Sequence, residues 1–399
     1  MFLYLRYGLE VEGLKCCSGL KAMKKLLLMH LVMLSSLWLG MFSTATHSES
    51  TEREASLVQA HCQPFENTQP QCLFTNPEDL AVLPDNNRLI VSEFGDSHGK
   101  RPGALAFYDI TTQQRRLAFD GSDATAPADF WGASSCKEPP GKAFSPHGID
   151  LSQRSDGRWQ LLVVQHGGRE SIEFFEVTGA EDHLQLVWRG CAIAPEKAML
   201  NSVAAGANNE FFTTKINSTD NGWEGGELDP NTPTGVVYRW NKGLGFQAVS
   251  GTEGVMLNGI AATADGKTLY VVYSGERRLK KIDAASGAIL VSTNLPSADN
   301  VKWSADGKTL LASSFVGSEG PEVFAACMSP GIKLCPIAFA IIELDPETLS
   351  KATMFENPNA AMGAGTVGMK VGSQLFIGSF AGNRLLQVDL ERSDPEISR

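Results

Sequence analysis

Six variants of one phrase, a polar turn followed by a short apolar strand, recur along the chain. They are LPDNNRLIVSEF from Leu83, RSDGRWQLLVVQH from Arg154, GANNEFFTTK from Gly206, TADGKTLYVVYS from Thr263, SADGKTLLASSF from Ser304 and KVGSQLFIGSF from Lys370. Asp, Asn and Gly make the turn, and β-branched and aromatic residues make the strand. Most copies lead into a further strand: GALAFYDITTQQ, SIEFFEVTG, GVVYRWN, LKKIDAASGAIL, FAIIELDPETLS and RLLQVDLER. Several short strands in a repeat of roughly 40 to 50 residues are the signature of propeller blades. Helical periodicity is almost absent after residue 75. The expected fold is therefore all-β, a six-bladed β-propeller over residues 75–392 with a central channel. The remaining stretches are residues 1–45, an extension 46–74 and a tail 393–399.

Just before each buried strand, on the strand expected nearest the channel, stands a polar residue. Glu78 and Asp79 lie in NPEDLAVL, His147 in SPHGID, Asn201 in MLNSVAAG, Asn258 in MLNGIAAT, and Asp299 with Asn300 in SADNVKWS; the last blade offers Thr366 in GAGTVGMK. Equivalent positions of successive blades converge on the axis, so these residues are expected to form a ring. Carboxylates mixed with amide carbonyls suit Ca²⁺, which takes roughly 6 to 8 oxygen ligands, whereas zinc prefers thiolate or imidazole. Asn and Asp also cap turns, which explains any one of them but not five at matched positions. The metal ligands expected are Glu78, Asn201, Asn258, Asp299 and Asn300.

His147 sits in the ring, and an imidazole titrates near the pH at which a general base must work. His166 ends the strand that follows the turn at Asp156 and Gly157, so it returns to the same end of the blade. The two are expected to share a proton. His61, His98 and His183 lie in polar segments and support no such role. A serine nucleophile is not indicated, because GxSxG is absent and FVGSEG around Ser318 has the wrong form. No GxxxxGK phosphate loop occurs either.

The net charge of −11 and the lack of basic patches argue against nucleic acid and for small molecules or cations as partners. At the N-terminus, MKKLLLMHLVMLSSLWLGMFSTA supplies Lys24, Lys25, an apolar run, and small Ser43 and Ala45 before a cleavage point near Thr46. Met23 is the expected initiator of that leader, with residues 1–22 expected to be an over-called start. An uncleaved anchor is the alternative, although Leu26 to Phe42 is short for a span of ~20 residues. No later stretch resembles a membrane helix. A secreted or periplasmic protein is expected, without an integral span once the leader is removed. Cys16 and Cys17 precede the cleavage point, leaving Cys62, Cys72, Cys136, Cys191, Cys327 and Cys335 in the exported part. In an oxidising compartment an even count suggests disulfides. Loop-closure entropy favours Cys62 with Cys72 and Cys327 with Cys335, and Cys136 with Cys191 by elimination. A zinc site is the weaker reading, since no CxxC or nearby histidine accompanies these cysteines.

NPEDLAVLP, FSPHGID, LLVVQHGGRESIEFFEV, MLNSVAAG, MLNGIAATADGKTLYV and SADNVKWSADGK resemble, in order and spacing, the paraoxonase and arylesterase family of calcium-dependent lactonases. Gluconolactonase and strictosidine-synthase-like propellers are more distantly similar. The likeness runs from about Glu78 to Leu390. It implies a catalytic calcium on Glu78, Asn201, Asn258, Asp299 and Asn300, a histidine dyad of His147 and His166, and hydrolysis of lactones, with aryl esters and phosphotriesters as side activities. In the implied mechanism calcium polarises the carbonyl and holds the oxyanion while the dyad activates water.

Three departures qualify the resemblance. The family's second, structural calcium uses an aspartate after the Asn of the third blade, where this chain has Ser202, so of that site only Asp79 is retained. Val388 stands where the family has the cysteine that ties the two chain ends, so closure is expected to rest on strand pairing. Insertions from Gly121 to Lys142 and from Asn217 to Thr234 are expected to rim the channel and set substrate choice. The leading alternative is a non-catalytic propeller that binds a ligand or protein, with calcium as a brace. A quinone-dependent oxidoreductase would need basic residues around its acidic cofactor, and the expected ring is acidic and amide-rich.

Overall fold

The computed structural model describes residues 62–392 apart from 97–99, 123–126, 128, 219–228, 230–231, 318–320, 330 and 357–360. The expected leader, most of the extension, the tail, His61, His98 and Ser318 lie outside the described residues.

The strands form six four-stranded sheets. The inner strands are Pro77–Val82, Pro146–Gln153, Ala198–Ala205, Leu257–Ala262, Ala298–Trp303 and Gly365–Val371, in blades 1 to 6. Each lies against the inner strand of the next blade, and the sixth returns to the first. The chain is therefore a six-bladed β-propeller.

Each repeated turn works through one residue in the left-handed region. Asn86, Gly157, Gly266, Gly307 and Gly372 have φ of 53°, 87°, 66°, 68° and 60°. In the first four, the amide of that residue donates to a carbonyl three residues back, which sends the chain straight from inner to second strand. In blade 3 the same reversal is made by Asn208 and Asn209 with φ of 56° and 63°.

The second strands are buried on both faces, which is why they read as unbroken apolar runs. Successive side chains of a strand point to opposite faces. Leu161 and Val163 accordingly pack toward blade 1, against Ile90, Leu105 and Phe107, while Leu162 and Val164 pack toward blade 3, against Leu200, Val203 and Phe211. The same division repeats around the molecule and gives six seams of apolar packing, one between each pair of neighbouring blades. The outermost strands, such as Gln114–Phe119 and Ile289–Asn294, are largely exposed.

Blade 6 takes its outer strand from the other end of the chain. Thr68–Gln71 pairs antiparallel with Leu385–Asp389, and Thr68 stands opposite Val388. Strand pairing thus closes the ring at Val388. Pro70 is tolerated because this strand is an edge. The disulfides are Cys62–Cys72, Cys136–Cys191 and Cys327–Cys335, as expected from loop closure, and they are compatible with an oxidising compartment. They leave no thiolate among the described residues for zinc. Among the described residues no helix is long and apolar enough to cross a membrane.

The described part of the 121–142 insertion runs along the outer strand of blade 2, and its Glu138 carbonyl accepts from Arg169 in the loop between His166 and Glu170. Trp131 and Ala133 donate backbone hydrogen bonds to the carbonyls of Arg189 and Cys191. Trp131 lies under the Arg154 guanidinium, 4.1 Å from its ring centroid. An outer strand carries unpaired backbone groups that need cover, and the Cys136–Cys191 bridge pins the cover in place. The 217–234 insertion falls mostly outside the described residues.

Candidate active site

A side chain reaches the axis only if the inner strand aims it there, and every inner strand breaks register at that point. Pairing with the second strand skips Glu78, His147 with Gly148, Asn201 with Ser202, Asn258 with Gly259, Asp299 with Asn300, and Thr366. An extra residue bends a strand and redirects its side chain. Two of these bulges require glycine. A Cβ on Gly148 would stand 2.6 Å from the Asn201 carbonyl oxygen, and one on Gly259 would stand 2.5 Å from the Val301 nitrogen.

Neighbouring blades are stitched by side chains. Asp79 Oδ2 accepts from the Ile149 amide at 2.7 Å, Asp150 Oδ2 from the Ala205 amide at 2.8 Å, and the Thr214 hydroxyl donates to the Asn258 carbonyl at 2.6 Å. The Ser274 and Ser313 hydroxyls donate to the carbonyls of Ala298 and Gly365, and that of Thr366 to the Glu78 carbonyl. Every gap between blades is bridged near the axis.

Of the ring residues expected from the sequence, Glu78, Asn300 and His147 are in contact. Asn300 Nδ2 donates to Glu78 Oε1 at 2.7 Å, and His147 Nε2 stands 3.6 Å from the same oxygen. Glu78, Asn201 and Asn300 are each 1% exposed. At that depth a polar atom without a partner costs about 1–3 kcal/mol. Yet Glu78 Oε2, both polar atoms of the Asn201 amide and Asn258 Oδ1 are buried without a hydrogen-bond partner. Oxygens from blades 1, 3 and 4 are thus held at the axis without a hydrogen-bond partner among the described residues.

Behind the ring runs a relay. His147 Nδ1 lies 2.9 Å from His166 Nε2, and His166 Nδ1 lies 2.9 Å from Glu170 Oε2. Glu170 Oε1 accepts from the Leu200 amide of blade 3 at 2.6 Å, which fixes the carboxylate. An ionised carboxylate only accepts, so Nδ1 of His166 carries a proton. With both rings uncharged, His166 Nε2 accepts from His147 Nδ1, and the lone pair of His147 Nε2 then faces the ring. Phe94 stacks on the His147 ring at 4.7 Å between centroids and holds its plane.

Charge crowding shapes the ring's titration. Burial, with the Glu78 carboxylate second, pushes Asp299 up to about 8, although His147 and a hydrogen bond from Asn258 draw it down. Burial pushes the His147 imidazole down, but Glu78, with lesser help from Asp299 and Asp79, outweighs it and leaves the group above its ordinary value. Both shifts are those of a negative site that lacks positive charge. No group of three or more His, Cys, Asp or Glu arranged to hold a metal occurs among the described residues; the donors here are two carboxylates supplemented by amides. That hard-oxygen set, with its unpartnered atoms, fits calcium and does not fit zinc.

No protein-family model matches the chain, and no curated protein matches it by sequence. Among solved structures it is similar to luciferin-regenerating enzyme, with a TM-score of 0.46 and 13% identity, covering 79% of this chain and 92% of that one. It is similar also to a gluconolactonase from Xanthomonas campestris, with a TM-score of 0.44 and 15% identity over 81% of this chain and 89% of that one. Regucalcin from Agrobacterium tumefaciens, a calcium-binding protein, has a TM-score of 0.44 and 12% identity over 80% and 91% of the two chains. These likenesses carry no chemistry, which has to be argued from the site.

Sequence reasoning misses three residues here. Glu170 lies four positions after His166 in HGGRE, and only the fold shows that the intervening turn brings it back onto the imidazole. Phe94 directly follows the second strand of blade 1, Arg88–Glu93, the position that His166 holds after Trp159–Gln165 in blade 2. It also lines a cavity of about 320 Å³, together with Arg101, Met328, Ile332, Lys333 and Phe380. Part of that wall comes from the blade 5 insertion, with its helix Pro321–Cys327 and the Cys327–Cys335 bridge. The third is Lys302, a buried lysine whose ammonium is 2.8 Å from Asp79 Oδ2. Burial pushes Asp79 up to about 6 despite that ammonium.

Proposed function

We propose that the protein is a calcium-dependent hydrolase of lactones and related esters. The observation that carries the reading is the Glu170–His166–His147 relay, which ends beside a ring of buried oxygens without partners. The resemblance of the ring motifs to calcium-dependent lactonases points the same way.

Glu78, Asn201, Asn258, Asp299 and Asn300 would hold the ion. When bound, calcium supplies a Lewis acid for the ester carbonyl and a counter-charge for the oxyanion. The chain's own residues manage the proton. His147 Nε2 accepts a proton from an attacking water, and the imidazolium that results is stabilised through Nδ1 by His166. Glu170 keeps His166 in the tautomer that allows this. The proton on His147 is then available to the leaving alkoxide. The cavity of about 320 Å³ that Phe94 lines is large enough for the body of a small lactone, and it offers both apolar walls, from Phe380, Met328 and Ile332, and the cations Arg101 and Lys333.

Removing the Glu170 carboxylate tests the relay. Glu170→Gln keeps an oxygen for the Leu200 amide, so the fold is retained, but its amide can donate to His166 Nδ1 and reverse the tautomers. Lactone kcat should fall by ~10²-fold, the lower end of what loss of a general base costs. The acidic limb of the pH profile should shift as well, which a merely structural contact would not cause. An unaltered profile with full activity would place Glu170 outside the chemistry.

Calcium uptake should release protons. With Asp299 pushed up to about 8, the metal-free ring is protonated at neutral pH, and calcium competes with that proton. Affinity should therefore rise with pH and level off above about 8. Calorimetry at pH 7 in buffers of different ionisation heat reads the proton count, and a count of zero would contradict the placement of Asp299 among the ligands. The same shift governs stability. A carboxyl raised above its ordinary 3.8 stabilises the metal-free fold fully below that value and loses the contribution as pH climbs through about 8.

A further inference from the structure

Lys302 is 6% exposed, and nothing in the proposed hydrolysis uses it. It lies two residues beyond Asn300 on the inner strand of blade 5. Its ammonium bonds Asp79 Oδ2 of blade 1 at 2.8 Å and donates to the Ile149 carbonyl of blade 2. Asp150, next along the blade 2 strand, is within Coulomb reach of the same ammonium. Ser202, which follows the ring residue of blade 3 as Asp79 follows that of blade 1, has a buried hydroxyl without a partner.

A second, structural calcium does not fit these residues. Blade 3 offers a neutral hydroxyl in place of a carboxylate, and the Asp79 oxygen is already engaged by a positive charge. An ion there would need roughly 6 to 8 oxygens, and it would face the ammonium directly. We propose that the Lys302 ammonium fills the position of a second metal ion, a cation carried by the chain itself that gathers blades 1, 2 and 5 at the axis. An ammonium has three N–H donors and no acceptor, so it can join carboxylate and carbonyl oxygens from separate strands as an ion would. Being covalently attached, it holds them at any calcium concentration, whereas a free ion stabilises only in proportion to its saturation. Two consequences follow: the protein binds no divalent ion at Asp79, and this brace survives chelation.

The inference rests on the proposed function only for the ion in the ring, and the test separates the two. Bound calcium per chain is counted by equilibrium dialysis and atomic emission in the full chain and in the double variant Lys302→Met with Ser202→Asp. The substitutions remove the ammonium and supply a second carboxylate. The double variant should bind one calcium more than the parent, whatever the parent binds, and its melting temperature should become more sensitive to chelation. A parent that binds two ions, or a folded double variant that gains none, would overturn the proposal. A parent count of zero with a gain of one would instead sink the hydrolase reading and leave Lys302 as assigned. Should the double variant not fold, crystals of the parent soaked in terbium decide. Anomalous density between Asp79 and the Ile149 carbonyl would refute the proposal, and its absence there upholds it.

Discussion

His147→Gln should lower kcat for lactones by ~10²- to 10⁴-fold, the usual range for losing a general base, while the protein stays folded and still binds calcium. The expectation follows from one nitrogen. His147 Nδ1 is committed to His166 at 2.9 Å, and only Nε2 is turned toward Glu78 and the ring oxygens. A glutamine fills nearly the same space against Phe94 but has no lone pair that accepts a proton near neutral pH. His166→Gln should act more mildly, since it leaves the base in place and removes the group that spreads its charge. Lactone turnover unchanged in His147→Gln would take both histidines out of the mechanism.

Glu78→Gln should weaken calcium binding by at least ~10²-fold, because loss even of a group outside the direct ligands costs ~10- to 100-fold. Glu78 stands between two other ring residues: Asn300 donates to Oε1, His147 faces it, and Oε2 has no hydrogen-bond partner among the described residues. Its charge also ranks second only to burial in raising Asp299. Glutamine retains an oxygen for Asn300, so the loss reports charge rather than architecture. Proton release on calcium uptake should shrink in the same variant, since Asp299 would lose the neighbour that raises it. Calcium titration followed by calorimetry reads both quantities. Equal affinity in parent and variant would exclude Glu78 as a ligand.

The blades are legible in the sequence because each repeats a turn that needs a left-handed residue and then a strand buried on both faces. Gly157, Gly266 and Gly307 mark those turns, and the apolar runs after them form the seams. The ring is legible for a related reason. Once the turns are aligned, Glu78, His147, Asn201, Asn258 and Asp299 fall at one phase, and the bulge at each keeps that phase at the axis. What escapes the sequence depends on contacts across blades. The four-residue strand Thr68–Gln71 contains a proline and has no apolar alternation, so nothing local marks it as the outer strand of the last blade. Glu170 and Lys302 look like ordinary charged residues until the turn after His166 and the inner strand of blade 5 bury them against particular partners. The 121–142 insertion is polar in composition, as rim loops are, and only Trp131 and Cys136 show that it packs along a blade edge.

Hydrolysis of a small panel of aliphatic lactones and phenyl acetate by the purified protein, assayed with calcium and after chelation, is the most direct test. A calcium-dependent hydrolase should turn over at least one lactone, lose that turnover on chelation and regain it when calcium is restored. Stability that depends on calcium, with no lactone or ester hydrolysed in either state, would contradict the assignment and leave the ring as a brace in a binding propeller.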